Sequence, residues 1–155
     1  MELITDRTYE DVVRWQTLHD KGWLAMSSLE RAEWLLVAKG RYTHADMNRV
    51  ESAVQELSAR LRELGYNHPS LSTKTTWSMS DIPTKADFDR YFGNVAVLRK
   101  TIAVPESTPT TPTTAIRLNY QIANELEEIL ANIDTVTTNL PKSWYFSGDI
   151  FAGGY

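Results

Sequence analysis

The stretch Thr43-His44-Ala45-Asp46-Met47-Asn48-Arg49-Val50-Glu51-Ser52-Ala53-Val54-Gln55-Glu56-Leu57-Ser58-Ala59-Arg60-Leu61-Arg62-Glu63-Leu64 decides the fold class. Met47, Val50, Val54, Leu57, Leu61 and Leu64 advance in alternating steps of three and four, which stacks them on one face of an α-helix. Thr43 is placed to accept from the first-turn amides. Asp46, three residues on, returns a bond to the cap and sits at the positive end of the helix dipole.

The same grammar recurs along the chain. Phe88, Tyr91, Val95, Leu98 and Ile102 form a second stripe, and Ile122, Leu126, Ile129, Ile133, Val136 and Leu140 a third. Each stripe is too short for an extended coiled coil, so the three are expected to bury one another within one chain. Two shorter helices precede them. Thr8 caps one running through Val12, Val13, Trp15 and Leu18, with Gly22 as its stop. Ser27-Ser28-Leu29-Glu30 forms a capping box for a second through Ala32, Trp34, Leu35 and Leu36, with Gly40 as its stop.

Thr43-x-Ala45-Asp46-x-x-Arg49, with Val54, matches Thr84-x-Ala86-Asp87-x-x-Arg90, with Val95, in register at a spacing of 41 residues. A third, weaker copy begins at Asn119, with Glu125 where the others have arginine. Capping explains the threonine and the aspartate, and independent capping is the simpler source of the echo; a duplicated helical unit is the other. Neither cap dictates the arginine.

Between the helices, Val104 to Thr114 is a Pro/Thr-rich connector, and Gly65 to Pro83 is a second break. Leu71–Met79 within that break, paired with Ala115–Leu118, suits one small β-hairpin. The expected fold is therefore mainly α, a bundle of about five helices with a small β-hairpin, as a single domain over residues 1–155. Pro141 is expected to stop the last helix and leave 142–155 as an aromatic tail.

At 155 residues, 42% hydrophobic and net −4, the chain can bury one sizeable core and is too apolar for disorder. Mild acidity with scattered charges argues against nucleic-acid binding. Having no cysteine excludes disulfides, thiol nucleophiles and iron–sulfur sites. No signal peptide or membrane-length apolar run is present, so no membrane association is expected.

His19, His44 and His68 lie on different elements and lack metal-ligand spacing. Asp46 and Asp87 read as caps, and Glu125, Glu127 and Glu128 as a solvated acidic face. No nucleophile elbow or phosphate loop occurs. Catalytic residues, metal ligands and cofactors are thus all expected to be none.

Trp15, Trp23 and Trp34 read as helix-packing residues, and Trp77 as a seal on the bundle or a sugar-stacking face. The run Trp144-Tyr145-Phe146-Ser147-Gly148-Asp149-Ile150-Phe151-Ala152-Gly153-Gly154-Tyr155 is aromatic and glycine-punctuated. Its Trp144, Tyr145, Phe146, Ile150, Phe151 and Tyr155 are candidate partner-binding residues, because interface energy concentrates in large aromatics. The segment before Thr8 is a second candidate attachment, and Trp144 a second sugar-stacking candidate.

Several blocks carry a resemblance. They are Leu3-Ile4-Thr5-Asp6-Arg7-Thr8; Tyr42-x-His44-Ala45-Asp46-x-Asn48-Arg49-Val50-Glu51; Trp77; Pro83 to Tyr91 with Asn94-Val95 and Leu98-Arg99; Asn119-Tyr120-Gln121-x-Ala123-Asn124-Glu125-x-Glu127-x-Ile129-Leu130; and Trp144-Tyr145-x-Ser147-Gly148-Asp149-Ile150. In this order they resemble a family of small proteins and modules from phages and prophages of Gram-positive gut bacteria (Firmicutes). The resemblance implies a non-enzymatic structural or adaptor role in a phage tail or baseplate, within the virion. Partners would be neighbouring tail or baseplate subunits, a homo-oligomer included. The alternatives are recognition of a cell-surface carbohydrate and inhibition of a host defence protein.

Overall fold

A computed structural model describes residues 1–35, 39–113 and 118–148, with side chains of the last helix described to Ser143. It is mainly helical. α1 spans Tyr9–Lys21, α2 Ser28–Leu35, α3 His44–Glu63, α4 Lys85–Thr101 and α5 Tyr120–Gly148, with a 3-10 turn at Trp23–Ala25 between the first two.

The caps lie where the sequence puts them. Thr8 with Asp11, Thr43 with Asp46 and Thr84 with Asp87 each form a reciprocal capping box. Ser27 and Glu30 exchange the same pair of bonds. Asn119 Oδ1 accepts from Ile122 N, 2.8 Å away, at the start of α5. Gly22 ends α1 with φ of 74°, a left-handed value that favours glycine. Gly40 does more than follow α2: a β-carbon there would overlap the backbone of Asp11 and Val12, so glycine lets this chain segment lie directly on α1.

The three stripes make the core. Met47, Val50, Val54, Leu57 and Leu61 of α3 pack with Tyr91, Val95 and Leu98 of α4 and Leu126, Ile129 and Ile133 of α5, each helix touching the other two. α1 and α2 pack mainly on each other as a hairpin. Trp15 stacks on Trp34 across it, their centroids 5.8 Å apart. Trp23 departs from a packing role: it is 44% exposed, with the Arg31 guanidinium over its ring.

All three long helices run in the same direction. Arg49 reaches Glu127 and Arg60 reaches Asp134 and Thr138, so α3 and α5 advance together. Arg90 of α4 reaches Glu51 of α3, while Phe88, Thr43, Pro83 and Leu118 border one cleft, which puts the three helix starts at one end. Parallel helices need connectors that travel back along the bundle. After α3 the chain passes Ser58 at His68, Arg90 and Asn94 at Ser72, and Asn48 at Trp77. After α4, Arg99 donates to the Thr108 and Pro109 carbonyls, and Asn132 to Thr108 Oγ1. The Pro/Thr segment is thus a docked strap over its described part, with Thr108 buried.

Two expectations are corrected. No strand forms among the described residues: Leu71–Met79 is irregular, its carbonyls and amides bonded to helix side chains, and 115–117 of the expected partner lie outside the described residues. Pro141 does not stop α5, which continues to Gly148. A proline removes one helical hydrogen bond, and a helix already anchored over six turns can absorb that loss. The segment before Thr8 is docked on its own bundle, with Met1, Glu2, Thr5 and Asp6 exposed. Leu3 packs on the core, Ile4 N donates to Glu127 Oε2 at 2.6 Å, and the Arg7 amide and guanidinium both reach Asn124 Oδ1.

Candidate functional site

The end of the bundle where the three helices start holds a buried polar cluster and a cleft. Its foundation is a buried ion cluster. Arg7 Nη2 lies 3.0 Å from Asp46 and 2.7 Å from Glu127, and Arg49 Nη2 lies 2.5 Å and 2.8 Å from the same two carboxylates. Two positive and two negative groups balance. Asp46 is held below its usual carboxyl range: burial pushes it up, but Arg49 and the Thr43 cap outweigh that. Burial likewise works against the Arg49 charge, and Glu127 and Asp46 more than offset it, raising its pKa. Glu127 is fully buried, which corrects the solvated acidic face. Ala123, Glu127 and Leu130 share one helical face, and that face is turned inward.

A second pair repeats the design. Arg90 grips both oxygens of buried Glu51, at 2.9 Å and 2.6 Å. Counting from each cap, the arginine is the sixth residue and the glutamate the eighth: Arg49 and Glu51 on α3, Arg90 on α4, Glu127 on α5. α4 reaches α3, and α3 reaches α5. The third link would join position six of α5, Glu125, to position eight of α4, Phe92, and is not ionic. The arginine that capping left unexplained therefore binds the next helix.

Above this cluster lies a cleft of about 870 Å³ between the α1–α2 hairpin and the helix starts. Trp77 forms part of its floor, 5% exposed and covered by the Lys74 ammonium 3.9 Å from its ring centre. Asn48 clamps the Trp77 backbone through two bonds, at 2.9 Å and 2.7 Å. Trp77 thus seals the bundle; its burial removes it as a sugar-stacking face. Tyr42 and Tyr91 share a hydroxyl–hydroxyl bond of 2.5 Å beside the cleft, and burial pushes both phenols up.

Three residues of the lining carry enclosed polar atoms. Trp15 Nε1, Trp77 Nε1 and Arg41 Nε are buried donors with no partner among the described residues. Arg41 makes no ion pair among them either; its guanidinium rests over Trp34, 5.2 Å from the ring centre. Leu35 and Met79 stand at the rim, 71% and 90% exposed. No group of three or more His, Asp or Glu converges as metal ligands among the described residues. His19, His44 and His68 do not come together: His19 lies beside the stacked Trp15 and Trp34, His44 lines the cleft, and His68 leans on Ser58.

Of the candidate partner residues, Trp144, Tyr145 and Phe146 fall on the last turns of α5, and their side chains lie outside the described residues. Ile150, Phe151 and Tyr155 lie wholly outside them. No described helix is long and apolar enough to cross a membrane. Comparison with protein-family models, curated proteins and solved structures gives no match.

Proposed function

We propose that this chain is a non-enzymatic structural adaptor of a phage tail or baseplate, carried in the virion and attached to neighbouring subunits through its C-terminal aromatic segment. The observation that carries this reading is the unequal length of the three parallel helices. Arg49 beside Glu127 and Arg60 beside Asp134 and Thr138 set the register, so α3 and α4 end near the level of Leu140. α5 continues from Pro141 to Gly148, roughly 12 Å further at 1.5 Å per residue. Trp144-Tyr145-Phe146 therefore ride on a helix that has outrun the two helices it packs against, a placement suited to a partner. The block resemblance supplies the phage setting. The ion cluster and clamped connectors suit a rigid body that transmits position.

The test is mass spectrometry of purified particles of a phage encoding the chain, alongside a deletion of residues 142–155. The chain is expected in the particle, and the truncated form is expected to fold as a helical monomer that fails to incorporate. Absence from the particle refutes the adaptor reading. Global unfolding of the truncation would assign the segment to the core instead.

A further inference from the structure

The walls of the cleft at the helix starts have a defined character. Its rim exposes Leu35 and Met79, with Trp15, Phe88 and Leu118 further in, so it favours an apolar, aromatic insert. Arg41 lines the cleft as well and makes no ion pair among the described residues, so a carboxylate suits it. The segment from Trp144 to Tyr155 has a matching composition: five aromatics, one isoleucine, three glycines and a single charge, Asp149.

The same molecule's segment cannot fill its own cleft. The cleft lies at the start of α5, and that helix is 29 residues long, about 44 Å at 1.5 Å per residue. Residues 149–155, seven in number, span at most about 25 Å when fully extended. They leave from the far end of the helix and fall well short.

We infer that the cleft receives the C-terminal aromatic segment of a second copy of this chain, with Asp149 of one molecule pairing with Arg41 of the next. The contact is head to tail. The inserted segment and the receiving cleft are different surfaces, so each molecule keeps one free cleft and one free segment, and the arrangement propagates or closes into a ring. The inference rests on the adaptor reading for its view of the aromatic segment as an attachment, and names the surface that segment meets.

Sedimentation velocity on the full chain tests it, with Arg41→Glu, Asp149→Arg and Met79→Glu. Arg41 and Met79 lie off the main core, and circular dichroism checks that each variant remains folded. The full chain is expected to self-associate with rising concentration. Each single variant should weaken association at least about tenfold, since one buried charge reversal or one rim charge disrupts the contact. Mixing the Arg41→Glu and Asp149→Arg proteins should restore association, because each cleft then meets a segment of opposite charge. A segment folded onto its own molecule would show no rescue on mixing, and that result overturns the inference. So does a full chain that stays monomeric at 200 µM (roughly the concentration where micromolar contacts of this kind saturate), or folded variants that associate as the parent does.

The two proposals fail separately. A chain that enters particles through residues 142–155 yet stays monomeric in solution leaves the adaptor reading intact and removes this inference. A chain absent from particles that shows the mixing rescue does the reverse.

Discussion

Glu127→Gln is the sharpest perturbation of the bundle. Glu127 is fully buried, and each of its oxygens accepts two bonds: Oε1 from Arg7 Nη2 and Arg49 Nη2, Oε2 from Ile4 N and Arg49 Nε. Glutamine keeps the shape, but whichever way its amide turns, an NH₂ faces two donors. The substitution also leaves two guanidiniums with Asp46 alone, so one positive charge stays uncompensated at a site where the Arg7 and Asp46 side chains are 1% and 6% exposed. Removing one partner from a buried ion cluster costs about 3–5 kcal/mol. For a chain of 155 residues that corresponds to a melting-temperature drop of roughly 6–20 °C. Urea unfolding followed by far-ultraviolet circular dichroism reads the loss, and an unchanged m-value shows that the folded and unfolded states compared are the same. Arg7→Leu with Glu127→Leu removes one charge of each sign and leaves Arg49 with Asp46. That pair of changes should cost less than the sum of the single ones by about 2 kcal/mol or more. Release of the N-terminal segment would expose the peptide bond after Arg7 to trypsin. A Glu127→Gln protein within about 1 kcal/mol of the parent, or strictly additive leucine variants, would refute the assignment of this cluster as the clamp on the N-terminal segment.

Three further outcomes follow from the geometry. Asn48→Ala removes both bonds to the Trp77 backbone and should cost about 1–3 kcal/mol, read by urea unfolding, with faster amide exchange at Trp77. Asp46 titrates lower folded than unfolded, so its contribution is fully present above about pH 4 and is lost as pH falls through the folded value; an Asp46→Asn protein should show a flatter stability profile across that acid range in pH-dependent urea melts. Phe92→Glu should destabilise strongly by placing an unpaired carboxylate in the core, and adding Glu125→Arg should recover more than about 1 kcal/mol by supplying the missing link between α5 and α4; no recovery in thermal melts would reject the equivalence of the three helices.

The caps and apolar stripes were legible because both are local. A threonine and an aspartate three residues apart specify a helix start wherever the chain goes next. Direction was not, since an apolar stripe looks the same on parallel and antiparallel helices. The signal available was connector length: the stretches from Leu64 to Thr84 and from Ile102 to Asn119 are far longer than antiparallel neighbours require. Glu127 was misplaced because its neighbours Glu125 and Glu128 suggested a charged face, while Ala123 and Leu130 at helical spacing placed it inside. Pro141 was given the weight of a stop when the preceding turns were already fixed by packing. The cleft was not legible, because its walls come from the hairpin, both connectors and the helix starts, and no local pattern joins them.

The arginine–glutamate links give the bundle a sense of circulation, from α4 to α3 and from α3 to α5. In three identical chains around a threefold axis, every junction would have to be the same, and a residue suited to one would be imposed on all. Here the three helices belong to one polypeptide, so two junctions are ionic while the third holds Phe92 beside Tyr91 and Phe88. A single chain can thus give each junction its own chemistry, so that the three sides of the bundle differ.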